Sequence, residues 1–155
     1  MHTRLILGSL LIALLMGGHG PGYVHGPESR SSAASPPDST KPLRPLMVEL
    51  AQDMDRIATG LWHEDYDLIE EGAQSIAHHP KIPPSQLAKI KEALGREFNG
   101  FVSMDKSVHT TATELVQAAR ARNWSAVLDT HERLKRGCTS CHTAYRERLR
   151  PVLAP

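Results

Sequence analysis

The residues with the most chemical content lie together near the C-terminus, where the chain reads Cys138, Thr139, Ser140, Cys141 and His142. These are the two cysteines of the sequence. Cys-x-x-Cys-His is the pattern through which a c-type haem is attached: two thiols add to vinyl groups on one edge of the porphyrin, and the next residue brings an imidazole beneath the iron. Rival chemistries use similar patterns. A thioredoxin-like pair opens a helix beside a sheet, where the helix dipole lowers the thiol pKa, but this pair sits deep in an all-helical pattern. Structural zinc asks for four ligands, and neither a second cysteine pair nor a finger-type histidine pair is present. A chance pentapeptide is the remaining alternative. No arrangement of nucleophile and base stands out elsewhere, so no enzymatic activity is expected.

The start of the chain bears on this reading, because haem attachment of this kind belongs to an exported compartment. Residues 1–20 carry Arg4, an apolar run from Leu5 to Met16, and then Gly17 and Gly18. That is the layout of a secretory signal, and the run is shorter than the roughly 20 residues of a membrane-spanning helix. The small-x-small step at Gly18-His19-Gly20 is a poor cleavage site, so an uncleaved membrane anchor is the alternative. Residues 21–41 are rich in Gly, Pro, Ser and His and should form a disordered linker. His19 and His25 in this region are read as incidental. The folded domain is expected over residues 42–155, in the periplasm.

Within that domain the apolar residues recur at helical spacing. Met47, Leu50, Met54, Ile57 and Leu61 step by three and four, the seam of a bundle helix, and Pro42 and Pro45 suit its first turn. A second helix follows Asp65 with Leu68, Ile69, Ala73, Ile76 and Ala77, and Pro80 stops it near His79. Ser85 should cap a third helical region running from Leu87 to Arg122, which Asn99-Gly100 is expected to break into a short helix and a core helix. Ser125 should cap the last helix, which turns Leu128, His131, Leu134, Cys138, Cys141 and Tyr145 inward until Pro151. Seven aromatic residues and the lack of period-two alternation leave little room for strands. The expected fold is therefore all-α, an antiparallel four-helix bundle with covalently bound haem near the C-terminus.

The stretch Gly137-Cys-Thr-Ser-Cys-His-Thr-Ala-Tyr-Arg-Glu-Arg-Leu149 resembles the haem motif of the cytochrome c prime family and its low-spin, methionine-ligated relatives. The Tyr145-Arg146 pair after the motif, the segment Ala112–Val127 before the last helix and Tyr66-Asp67 at the start of the second helix fit the same family. The likeness covers about residues 42–149 and rests mainly on the last fifty. It implies one haem c in an often dimeric bundle that carries electrons or binds small gases. It also implies that Arg44 pairs with a haem propionate and that Arg146 lies beside the haem on the proximal side; an exposed surface charge is the alternative for each arginine.

His142 is the expected proximal ligand, and the sixth iron position decides the function. An antiparallel bundle sets the first half of the first helix against the last half of the last, so the distal residue should come from near the start of the domain. Met47 is the candidate, at a distance before Tyr66-Asp67 matching where the resembled family places a methionine or an apolar blocker. Met54 on the same seam is the reserve and Met104 a third; methionine as core filler is the competing role for all of them. A His/Met pair gives low-spin iron of raised potential, suited to electron transfer. A vacant or apolar-blocked site would bind nitric oxide or carbon monoxide instead. His131, on the face of Cys138, is read as a hydrogen-bonded core histidine, and His63, His78, His79 and His109 as solvent-exposed.

The net charge of +1, from 18 Lys and Arg against 17 Asp and Glu, argues against nucleic acid as a partner. It conceals an asymmetry. Residues 42–80 hold two basic and eight acidic residues, a net of −6, and residues 81–155 hold thirteen and seven, a net of +6. Arg133, Lys135, Arg136, Arg148 and Arg150 would give the last helix a basic face. That charge would balance haem propionates or steer a redox partner protein with an acidic docking surface. Leu50 and Ile57 would serve a homodimer as readily as a core, and membrane contact is expected only if the N-terminal segment stays uncleaved.

Overall fold

The computed structural model describes residues 39–153. The expected export signal, most of the expected linker, and His19 and His25 lie outside the described residues. Five α-helices follow in order: α1 (Leu43–His63), α2 (Tyr66–Ala77), α3 (Pro84–Leu94), α4 (Phe98–Arg120) and α5 (Trp124–Leu149). Single 3-10 turns occupy Gly95–Glu97 and Arg150–Val152. Among the described residues the sole β-type pairing is an isolated bridge between Thr40 and Lys81, which ties the chain before α1 to the loop after α2. No helix of the described residues is long and apolar enough to cross a membrane.

The helix starts follow from local chemistry. Asp65 caps α2, its carboxylate accepting the N–H groups of Asp67 and Leu68 at 3.1 Å. Asn123, rather than the expected Ser125, caps α5: its backbone is extended and its side-chain oxygen accepts the N–H of Ala126 at 3.2 Å. Helix α3 starts at Pro84, whose missing N–H is harmless in a first turn, and Ser85 makes no cap. The expected break at Asn99-Gly100 falls instead at Gly95, where φ is +53° and a side chain would be strained. Gly100 stays inside α4 for a packing reason: a Cβ there would lie 2.6 Å from the Tyr145 hydroxyl.

Four of the helices, α1, α2, α4 and α5, pack as successive antiparallel neighbours. Gly60 and Gly72 let α1 and α2 close together, and Arg120 of α4 pairs with Glu70 of α2 at 2.7 Å. Arg133 of α5 reaches Glu114 of α4 at 2.7 Å, and Arg148 reaches Glu97 at 2.5 Å. The shorter α3 closes one end of the bundle, where Ile90 and Leu94 are buried against Phe101, Tyr145 and Leu149.

The apolar stripes meet in two clusters. The first gathers Ile57, Ile69, Ile76, Leu115, Val127 and Leu134; the second, at the α3 end, gathers Leu43, Leu46, Ile90, Phe101, Tyr145 and Leu149. Each fully buried Leu or Ile side chain contributes about 1.5–3 kcal/mol. Ile57 is wholly buried and Leu50 packs against both clusters, so both belong to the core of the single chain. Leu128, expected inside, is 45% exposed; Val127 and Thr130 take the inward positions.

Candidate functional site

Helix α5 carries the cysteine motif two thirds of the way along its length. Its residues are helical throughout, so Cys138, Cys141 and His142 stand at i, i+3 and i+4 and share one face. Cys138 and Cys141 are half-buried free thiols, and Cys141 packs against the second core cluster. His142, one turn beyond Cys138, is exposed and makes no hydrogen bond among the described residues. On the α4 side the approach is close, a Cβ at Gly137 lying 3.2 Å from a methyl group of Val108.

On the opposite side the helix backbones stand further apart. Close-packed helices normally lie 8–10 Å apart axis to axis, and α1, α2, α4 and α5 are in close contact at three of their four successive interfaces. No Cα of α1, however, comes within 8 Å of a Cα of α5 among the described residues. These two helices meet through side chains, with Leu43 and Leu46 reaching the cluster of Tyr145 and Leu149. The motif thus lies on the helix whose far neighbour is held off.

Burial pushes both thiols above their ordinary pKa, and for Cys141 the charges of Asp105 and Cys138 add to the effect. A catalytic dithiol needs the reverse, a thiolate stabilised by a helix N-terminus or a cation. The raised thiol pKa values run against that requirement.

The methionines separate by cluster. Met47 is partly buried against the second cluster, as are Met104 and Cys141; Met54 packs against the first. Arg44 and Arg146 are exposed and have no ion-pair partner among the described residues. The other named cations are engaged: Arg133 with Glu114 and Asp129, Lys135 and Arg136 with Glu132, Arg148 with Glu97, and Arg150 with Glu147. Each carboxylate reduces the field that the basic face projects. On the acidic side, a concavity lies between α1 and α2, lined by Glu49, Asp53, Arg56, Glu70 and Glu71 among others, and excludes the cysteine motif.

Three histidine expectations change, those for His131, His79 and His109, the last being partly buried and hydrogen-bonded to the Ala77 carbonyl. His131 is half-buried with no hydrogen bond, and burial, with Lys135 adding to it, lowers its pKa. His79 is not solvent-exposed: its side chain is 10% accessible and stands beside Asp105 and His109. That grouping was hidden in the sequence, because His79 follows α2 while the others lie one turn apart on α4. The Asp105–His109 spacing of four was the one available signal.

Comparison of the chain with protein-family models, with curated proteins and with solved structures finds no match.

Proposed function

We propose that the protein is an exported c-type cytochrome that carries single electrons, with one haem c held by Cys138 and Cys141, His142 as proximal ligand and Met47 as distal ligand. The observation that carries this reading is the placement of the donor set. Two half-buried thiols and an exposed imidazole share one face of α5, and Met47 packs against the same cluster as Cys141. When bound, the haem supplies a one-electron iron couple, and a methionine opposite a histidine raises its potential.

The chain's own residues have distinct tasks. Cys138 and Cys141 would hold the group through two thioethers, each formed by addition of S–H across a vinyl double bond, a chemistry that would consume no oxidant. His142, free of competing hydrogen bonds, has its imidazole available to the iron. The apolar side chains of Leu46, Leu50, Phe101 and Tyr145 would keep water from the buried edge. The unpaired guanidinium groups of Arg44 and Arg146 would face propionates. The resemblance to the cytochrome c prime family supports the same assignment and suggests periplasmic location.

Absorption spectra of the purified protein, oxidised and reduced, with and without carbon monoxide, test this reading. Low-spin bands insensitive to carbon monoxide are expected. A high-spin spectrum that shifts with the gas would replace the electron carrier with a five-coordinate gas-binding protein. A chain purified from a haem-competent periplasm without covalent haem would remove both.

A further inference from the structure

A second set of donor atoms lies outside the cysteine motif. His79 leaves the C-terminal end of α2, and Asp105 and His109 stand one turn apart on α4. Their ligating atoms all lie within 4.8 Å of one another. We propose that His79, Asp105 and His109 form a binding site for a divalent first-row transition ion of the zinc or copper type.

The tautomers are fixed by the backbone. Nδ1 of His79 lies 2.9 Å from the carbonyl oxygen of Pro80, and Nδ1 of His109 lies 2.8 Å from that of Ala77. A carbonyl oxygen can only accept, so both Nδ1 atoms donate, and in the neutral rings both Nε2 atoms carry lone pairs. Backbone anchoring of the non-ligating nitrogen is how metal-binding histidines are usually oriented. Here it occurs on both rings at once.

The remaining distances leave the Nε2 atoms without partners of their own. Nε2 of His79 is 3.9 Å from one Asp105 oxygen and Nε2 of His109 is 3.7 Å from the other. Both exceed hydrogen-bond length, and neither leaves room for an intervening water. With bonds of about 2.0–2.1 Å, a tetrahedral ion holds its donors about 3.3 Å apart; the donor atoms here lie within 4.8 Å of one another, so a closure of up to about 1.5 Å would seat it. Asp105 is half-exposed and free to make that movement.

The donor chemistry narrows the ion. Two imidazoles and one carboxylate favour zinc or copper over calcium or magnesium, which take oxygen ligands. The three side chains leave a coordination position for water or another small ligand.

The site shares no residue with the proposed haem donors, so it stands or falls separately. The test is zinc titration of the purified full chain by calorimetry, with zinc content measured after desalting. One tightly held equivalent is expected, weakened by about 100-fold or more in His79→Ala and His109→Ala. Asp105→Asn, a change at a half-exposed position that keeps the fold, should weaken binding by about tenfold or more, and His131→Ala should leave it unchanged. Failure of the unaltered chain to retain zinc would overturn the site. So would equal affinity and stoichiometry in the His79→Ala/His109→Ala double variant, which would move the ion to donors such as His19 and His25.

Discussion

Met47 of α1 and Cys141 of α5 pack against one and the same buried cluster, although they come from opposite ends of the folded domain. Met54, two turns further along α1, belongs to the other cluster. Because a helix face changes its neighbours every two turns, a ligand must sit at the level of its partner along the bundle as well as on its seam. On the proposed haem reading, this level favours Met47 over Met54 as the distal ligand. Met47→Ala should convert a low-spin spectrum to high spin and open the iron to carbon monoxide; Met54→Ala should leave both properties intact. High-spin conversion by Met54→Ala alone would reverse the ligand assignment.

The two thiols should not be equivalent in their consequences for the fold. Cys141 contributes to the second cluster, whereas Cys138 sits nearer the α4 contact at Gly137 and Val108. Replacing both by serine should abolish the haem that survives denaturing electrophoresis. Cys138→Ser alone should retain haem through the remaining thioether. Full covalent haem in the double variant would rule out this attachment.

Much of this arrangement was legible in the sequence because it depends on local chemistry. The helical spacing of α1, the start of α2 after Asp65 and the helical setting of Cys138 and Cys141 follow from local pattern. The fully buried line of α1, however, runs through Leu43, Leu46, Asp53, Ile57 and Gly60, so of the expected seam from Met47 to Leu61 only Ile57 is wholly buried. Where long-range packing decides, the sequence misled. Asn99-Gly100 has the composition of a turn, but Gly100 is needed to admit Tyr145, and the turn went to Gly95. His79 looked like a solvated residue after a helix, yet a segment of α4 covers it. Nor does a string of basic residues reveal that each has found a carboxylate: the partner of Arg148, Glu97, is fifty-one positions away.

The contact between α1 and α2 rests on Gly72. A Cβ there would lie 2.8 Å from the carbonyl oxygen of Asp53 and 2.7 Å from the side chain of Ile57. The first is backbone and cannot swing aside. Gly72→Ala gains about 0.5–1 kcal/mol of helix propensity but forces overpacking that costs about 1–3 kcal/mol. A net loss of about 1–2 kcal/mol is expected in urea unfolding. An unchanged or raised midpoint would show that the two helices can separate freely.

Asp53 is buried and its carboxylate meets Arg56 at 2.6 Å. Burial raises its pKa despite the attraction of Arg56, so the folded state holds the proton where the unfolded chain has released it. The group therefore lowers stability as pH rises through the ordinary carboxylate range, and Arg56 limits that loss. Arg56→Ala should cost about 2 kcal/mol at neutral pH and clearly less near pH 3, where Asp53 is protonated. Equal losses at both values would mean that Arg56 acts through packing alone.

His131 should make stability depend on pH in the opposite direction. Burial, reinforced by Lys135 and opposed by Glu132, holds its pKa below the ordinary value. As pH falls through about 6.5 the unfolded chain takes up a proton that the folded chain refuses. Its contribution to stability is thus complete above about pH 6.5 and is lost on acidification, until the folded-state pKa is passed. His79 adds to the same trend, also through burial, so the total acid sensitivity does not isolate His131. The isolating comparison is the urea midpoint of His131→Gln against the unaltered chain at about pH 7.5 and about pH 5.5. The variant should lose less stability on acidification, because glutamine has no proton to gain. Parallel losses would mean that His131 charges as readily inside the bundle as outside it, and that its half-buried position imposes no cost on the imidazolium.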